Sequence, residues 1–243
     1  MKVYKNSKII GIGEDGIKKL ESISNKLNDN ICLEKINIKK DVDKEYVRTL
    51  LDGIDILFLI YSSEDKEALN IVKAIGAMAN ERRILSIGLN LSNKETKDNL
   101  DIDRELYIND ENTDKLFNLF NIMINSTLDV CMINIDVTDL KEVIIGENGI
   151  KYSYEEFANN KPQDDMVKVL FENISKTNKD TICKKCIIFL EMGSNNLESE
   201  DMIILNNLLT LIQNYCEDTY ELIFSLNLNE ELNEKIRIGL ICN

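Results

Sequence analysis

The sequence predicts an α/β protein: a Rossmann-like N-terminal domain built on a parallel sheet, a central connecting helix, and a smaller α+β C-terminal domain. Three observations carry this. In the first half, short apolar strand-like runs alternate with amphipathic helix-like stretches, the pattern of a parallel sheet covered by helices. A glycine-spaced segment, Gly11-Ile12-Gly13-Glu14-Asp15-Gly16, joins the first strand to the first helix. After Cys131 the pattern changes, and the chain closes with an alternating run, a turn-like NEELNEK and a last apolar run. The expected boundaries are 1–111 for the first domain, 112–130 for the central helix and 131–243 for the second domain.

Taken in order, residues 8–12 read as a strand, 16–27 as a helix, 31–38 as a strand and 44–51 as a short helix. Residues 54–61 make the most convincing buried strand, being apolar throughout except for Asp55 and bounded by Asp52-Gly53 and Ser62-Ser63. Over 64–80, Ala68, Leu69, Ile71, Val72, Ile75, Met78 and Ala79 fall on one broad helical face. A strand at 84–91, a polar connection over 92–104, a short strand at 106–108 and a helix over 113–128 complete the first half. The second half reads as a strand at 131–135, a helix at 138–144 and a polar loop region containing Pro162. A helix at 164–174, a strand at 186–192 and an apolar helix at 199–215 follow, and 220–242 reads as a β-hairpin.

Composition removes whole classes of chemistry. The 243 residues include no His, so Ser-His-Asp and Cys-His nucleophile systems, a His base and His metal ligands are all excluded. Against 43 Asp and Glu stand 29 Lys and Arg, a net charge of -14 that argues against binding nucleic acid or an anionic membrane. The N-terminal apolar stretch is too short for a signal peptide and no run approaches a membrane span, so a cytoplasmic protein without membrane insertion is expected. Reduced, buried thiols are the expectation for the six cysteines. Cys183 and Cys186 have metal or redox spacing, but a structural zinc site needs a second pair, and no metal site is assigned.

Gly11, Gly13 and Gly16 match the dinucleotide-binding fingerprint, in which glycines let a pyrophosphate approach a helix N-terminus. Glu34 or Asp41 would be the acid for a ribose. The alternative is a tight strand-to-helix turn that binds nothing, and Glu14 and Asp15 put two negative charges where a pyrophosphate would lie. A small dinucleotide-dependent Rossmann enzyme is the third-ranked function.

Three segments together resemble the FtsZ/tubulin family. Asn134-Ile135-Asp136-Val137-Thr138-Asp139 is similar to the FtsZ synergy loop, FSLNLNEELNEKIRIGLIC to the family's last hairpin, and KIIGIGEDG to its first strand and glycine loop in reduced form. The resemblance spans nearly the whole chain, with a first domain shorter than the family's. It implies that Asn134, Asp136 and Asp139 act as catalytic residues on the nucleotide of a neighbouring subunit. The alternative is that Asp136 or Thr138 simply caps the helix that starts there.

The family holds GTP phosphates on a second glycine-rich loop. Here the matching stretch reads Tyr61-Ser62-Ser63-Glu64-Asp65-Lys66-Glu67, without glycine and with three carboxylates expected in the first turn of the next helix. The expectation is therefore an FtsZ-like protein that has lost GTP binding and needs no cofactor, with GTP hydrolysis as the activity if it is an enzyme. It would act through protein contacts, with FtsZ or with itself, as a filament cap, a regulator or a nucleotide-independent assembly in cell division. The alternative is a divergent GTPase that binds GTP with Mg through the first glycine loop.

Overall fold

A computed structural model describes residues 6–38, 42–92, 99–128, 131–146, 149–174, 185–193, 199–215 and 221–243. The chain divides into two compact units, Met1–Asp114 and Lys115–Asn243.

The first unit is built from β1 (Ser7–Ile12), α1 (Gly13–Ile23), β2 (Ile31–Ile36), α2 (Lys44–Leu50), β3 (Ile56–Tyr61), α3 (Lys66–Glu81), β4 (Leu85–Asn90) and β5 (Arg104–Tyr107). The strands form one parallel sheet in the order β2-β1-β3-β4-β5. The central strand β3 is buried along its whole length, which explains its unbroken ILFLIY sequence. Side chains alternate across the sheet. Ile10, Ile12, Leu57, Leu59 and Tyr61 enter a core with Val47 and Leu50 of α2 and with Ala68, Val72, Ile75 and Ala79 of α3. Gly11 faces the opposite way, toward α1. A Cβ on Gly11 would meet the Gly16 carbonyl oxygen at 2.7 Å, and one on Gly16 would run into the Ile60 carbonyl oxygen. These two glycines let α1 lie directly on β1 and β3.

The second unit holds α4 (Thr113–Leu128), which starts at the boundary, followed by α5 (Val137–Ile145), β6 (Lys151–Ala158), α6 (Gln163–Glu172) and β7 (Lys185–Met192). It ends with α7 (Ser199–Tyr215), β8 (Glu221–Leu228) and β9 (Lys235–Cys242). Its sheet runs β6-β9-β7-β8, with β7 and β8 parallel and β9 antiparallel to both its neighbours. One face packs on α6 and α7 through Met166, Val167, Leu170, Leu205, Leu208 and Ile212. The other face approaches α4 so closely that a Cβ on Gly239 would lie 2.7 Å from Leu119.

Several expectations are corrected. The closing segment is not a hairpin: β9 inserts between β6 and β7, and the strand beside β8 is β7, not β9. The reason lies in burial, since β9 is buried from Ile238 to Cys242 and needs neighbours on both edges, whereas much of β8 is half-exposed and suits an edge. The polar region before Pro162 contains a strand, β6, whose partner β9 is far off in sequence. Residues 131–135 form no strand: only Ile133 bridges Leu226, and the Asn134 side chain takes the Cys131 amide instead. Finally, α1 begins at Gly13, three residues before the expected start.

Candidate functional site

In a parallel sheet of order 2-1-3-4-5, neighbouring crossovers diverge between β1 and β3, and a crevice opens at the carboxyl ends of those strands. This unit has that crevice. A cavity of about 600 Å³ is lined by Ile12, Gly13, Glu14 and Asp15 after β1, Asn37 and Ile38 after β2, and Ser62 and Asp65 after β3. A second, of about 800 Å³, shares Asp15, Lys18 and Ser62 and runs past Glu64 and Ser92 to Asn109 and Asp110.

On the β1 side, Gly13 has φ +72°, a left-handed conformation that glycine adopts without strain. The N-terminus of α1 carries no side-chain cap, so its first turn leaves donors for which no side chain substitutes. The predicted Gly11, Gly13 and Gly16 thus divide their tasks: Gly13 shapes the turn at the crevice, and Gly11 and Gly16 serve the contact of helix with sheet.

The β3 side is different. Asp65 is the N-cap of α3, and its Oδ1 accepts from the amides of Glu67 at 3.0 Å and Ala68 at 3.1 Å. The Ser63 amide donates to Asn90 Oδ1 at 3.1 Å, the Glu64 amide to Ser62 Oγ at 3.4 Å and the Asp65 amide to the Ser62 carbonyl at 3.1 Å. The second oxygen of Asp65 points across the crevice, where a Cβ on Gly13 would lie 3.1 Å from it. A carboxylate therefore stands between the two strand-to-helix loops and satisfies two amides at the start of α3, donors of the kind that bind anions at helix N-termini. The helix starts at Lys66, so of the three carboxylates expected in its first turn only Glu67 lies there, with Asp65 as cap and Glu64 before it.

The charge lining this place is mostly negative. Lys18 is tied to Glu14 at 2.5 Å, which holds the Glu14 carboxyl below its usual range and the Lys18 ammonium above its own. Lys19 reaches Asp110 at 3.2 Å. Both crevice lysines thus face carboxylates of the same chain.

Beneath the crevice lies a polar cluster that the sequence reading missed. Asn90 is fully buried at the end of β4; its Oδ1 accepts from the amides of Ser63 and Ser92, and its Nδ2 donates to Glu105 at 3.1 Å. Tyr61 donates to the same Glu105 oxygen at 2.6 Å, and burial followed by that carboxylate pushes its phenol far above the usual range. An Asn within the apolar run 84–91 was the available signal, because a buried amide must be hydrogen-bonded.

The residues expected from the resemblance to a synergy loop, Asn134, Asp136 and Asp139, lie in the second unit within one short stretch. Asn134 is exposed and its Oδ1 accepts from the Cys131 amide at 3.0 Å. Asp136 caps α5, accepting from the Thr138 amide at 2.6 Å, and this bond holds its carboxyl below the usual range. Asp139 is half-exposed in the first turn of that helix. Of the ribose-acid candidates, Glu34 sits within β2, opposite Ile10, and is not among the lining residues, while Asp41 lies outside the described residues. So do Cys183, Cys216 and Tyr220. Among the described residues, no group of three or more His, Cys, Asp or Glu side chains could hold a metal ion. No helix among them is long and apolar enough to cross a membrane.

A parallel 2-1-3-4-5 sheet with a crevice at its switch point, together with a second unit built on a mixed four-stranded sheet, defines an FtsZ/tubulin-like fold. Solved structures agree. An FtsZ point mutant from M. jannaschii matches with a TM-score of 0.71 and 12% identity, covering 97% of this chain and 90% of that one. An FtsZ dimer from the same organism, described as empty, matches at 0.66 with 11% identity over 98% and 87% of the two chains. CetZ from Methanosaeta thermophila matches at 0.63 with 10% identity over 98% and 86%. No family model and no curated protein matches the sequence.

Proposed function

We propose that this chain is an FtsZ-like protein that works without holding GTP and acts through protein–protein contacts. It caps or regulates a nucleotide-bearing FtsZ filament, or assembles with copies of itself, with cell division as the setting. The observation that carries this reading is the Asp65 carboxylate, which occupies α3 amides and lies against Gly13. Glu14, Asp15 and Glu64 support it, since each adds negative charge to the lining of the crevice where a triphosphate would have to lie. On the other unit, the stretch bearing Asn134, Asp136 and Asp139 is the surface offered to a neighbouring subunit. Self-association is also in keeping with the similarity to an FtsZ dimer.

Sedimentation with an authentic FtsZ under GTP tests the partner reading. Co-pelleting, or a loss of FtsZ polymer and GTP turnover that a triple Asn134→Ala, Asp136→Ala, Asp139→Ala variant relieves, is expected for the cap or regulator. A self-sedimenting species without nucleotide is expected for the assembly. Unchanged pelleting and turnover together with a monomeric chain would overturn both.

The uncapped N-terminus of α1 beside Gly13 favours a second reading, a divergent GTPase that binds GTP and Mg through the first glycine loop alone. Under it Gly13 would face the phosphates, and the synergy-loop carboxylates would serve a neighbour's nucleotide.

A further inference from the structure

Cys186, near the start of β7, and Cys242, at the end of β9, stand directly opposite each other in the antiparallel register. The Asn243 amide donates to the Lys185 carbonyl at 3.1 Å, and the Gly193 amide to the Lys235 carbonyl at 3.0 Å. These bonds make Lys185/Asn243 and Gly193/Lys235 hydrogen-bonded pairs. Pairs alternate along an antiparallel ladder, so Cys186/Cys242 is a non-hydrogen-bonded pair, in which opposing α-carbons approach to about 4.5 Å. That spacing falls inside the range of roughly 4.4–6.8 Å that disulfides span. The two Sγ atoms are 3.1 Å apart, in hydrogen-bond contact and not joined in a disulfide. Each is fully buried on the sheet face covered by α6 and α7, in a cluster with Met166, Leu208 and Ile212.

We propose that Cys186 and Cys242 form an oxidisable dithiol that closes to an intrachain disulfide at the strand spacing already present, the reagent reaching the buried thiols when the covering α6 and α7 layer opens locally. The co-reactant is a small-molecule disulfide. The thiolate of one cysteine, having lost its proton, attacks a sulfur of that disulfide and releases one small thiolate, leaving a mixed disulfide on the protein. The thiolate of the other cysteine attacks the protein-side sulfur and releases the second small thiolate. Two protein thiols lose two protons and two electrons, and the reagent disulfide becomes two thiols. The new bond encloses the segment carrying α7 and β8, so the oxidised second unit has a less flexible unfolded state and melts higher.

The experiment uses the full chain, in wild-type form and with Cys32, Cys131, Cys183 and Cys216 replaced by Ser. Each is equilibrated with oxidised glutathione, then unfolded and alkylated, and read by intact mass and peptide mapping. The expected result is a monomer lighter by about 2 Da before alkylation, two cysteines protected, and a cross-linked peptide joining Cys186 to Cys242. Reduction with dithiothreitol restores both thiols. The melting temperature of the oxidised protein rises by roughly 5 °C or more over the reduced one. Cys186→Ser and Cys242→Ser each abolish the protection. Should the quadruple variant fail to fold, peptide mapping of the wild type decides alone. Full alkylation of Cys186 and Cys242 after oxidation, or a disulfide mapping to another pair, would overturn the proposal, as would an unchanged melting temperature its effect on the second unit.

Discussion

Asp65 is the residue on which sequence, fold and site converge, and replacing it has a predictable cost. Its Oδ1 satisfies two amides at the start of α3, and its charge lies at the positive end of that helix. Asp65→Ala removes both. An N-cap side chain contributes about 1 kcal/mol, and a carboxylate at a helix N-terminus a further 0.3–1 kcal/mol or so. The sum, about 1–2 kcal/mol, lowers the melting temperature of a chain of this size by roughly 3–6 °C. Asp65→Asn separates the two effects, since Asn caps about as well as Asp and keeps the acceptor oxygen while losing the charge. Its loss is confined to the charge share, a shift of roughly 1–3 °C. Thermal unfolding by calorimetry, following the transition of the first unit, reads all three proteins. The reasoning is refuted if Asp65→Ala melts with the wild type, or if Asp65→Asn falls as far as Asp65→Ala.

Two further predictions concern each unit in turn. Gly16→Ala, which in an open helix gains about 1 kcal/mol from propensity, instead destabilises here by roughly 1–3 kcal/mol, because its Cβ meets the rigid Ile60 carbonyl; chemical denaturation gives the sign, and a stabilised variant would contradict the close contact of α1 with the sheet. Glu156 bonds Lys235 at 2.6 Å and Arg237 at 2.9 Å, and these partners hold its carboxyl below the usual glutamate range. A lowered folded-state value means that its contribution is present above the unfolded value and lost as pH falls through the folded one. Glu156→Gln should therefore lower stability at neutral pH and leave a shallower decline below about pH 4.5; an unaltered acid limb would refute the pairing.

How much of this could be read from residues alone depended on how local the cause was. β3 announced itself because burial on both faces leaves no room for polar side chains in ILFLIY. The start of α3 was nearly as plain, but only coordinates separate the cap, Asp65, from the first turn, since Ser62, Ser63 and Asp65 are all of a type that caps helices. The false hairpin has the opposite origin. β8 and β9 are adjacent in sequence and turn-linked, and nothing local says that β9 pairs instead with β6, which starts 84 residues earlier at Lys151. β6 itself was hidden by Glu155 and Glu156, charges that suit an edge strand and resemble a loop. The glycine loop was visible as a motif, yet the split between Gly13 at the crevice and Gly11 and Gly16 under the helix rests on distances. Asp65 turned toward Gly13 is likewise a tertiary fact.

The most direct test of the central claim is a calorimetric titration of GTP into the pure 243-residue chain, with and without magnesium. With Asp65 occupying the α3 amides and acids lining the crevice, the account predicts no binding heat at micromolar nucleotide under either condition. Saturable micromolar binding of GTP would contradict it and establish the divergent-GTPase reading in its place.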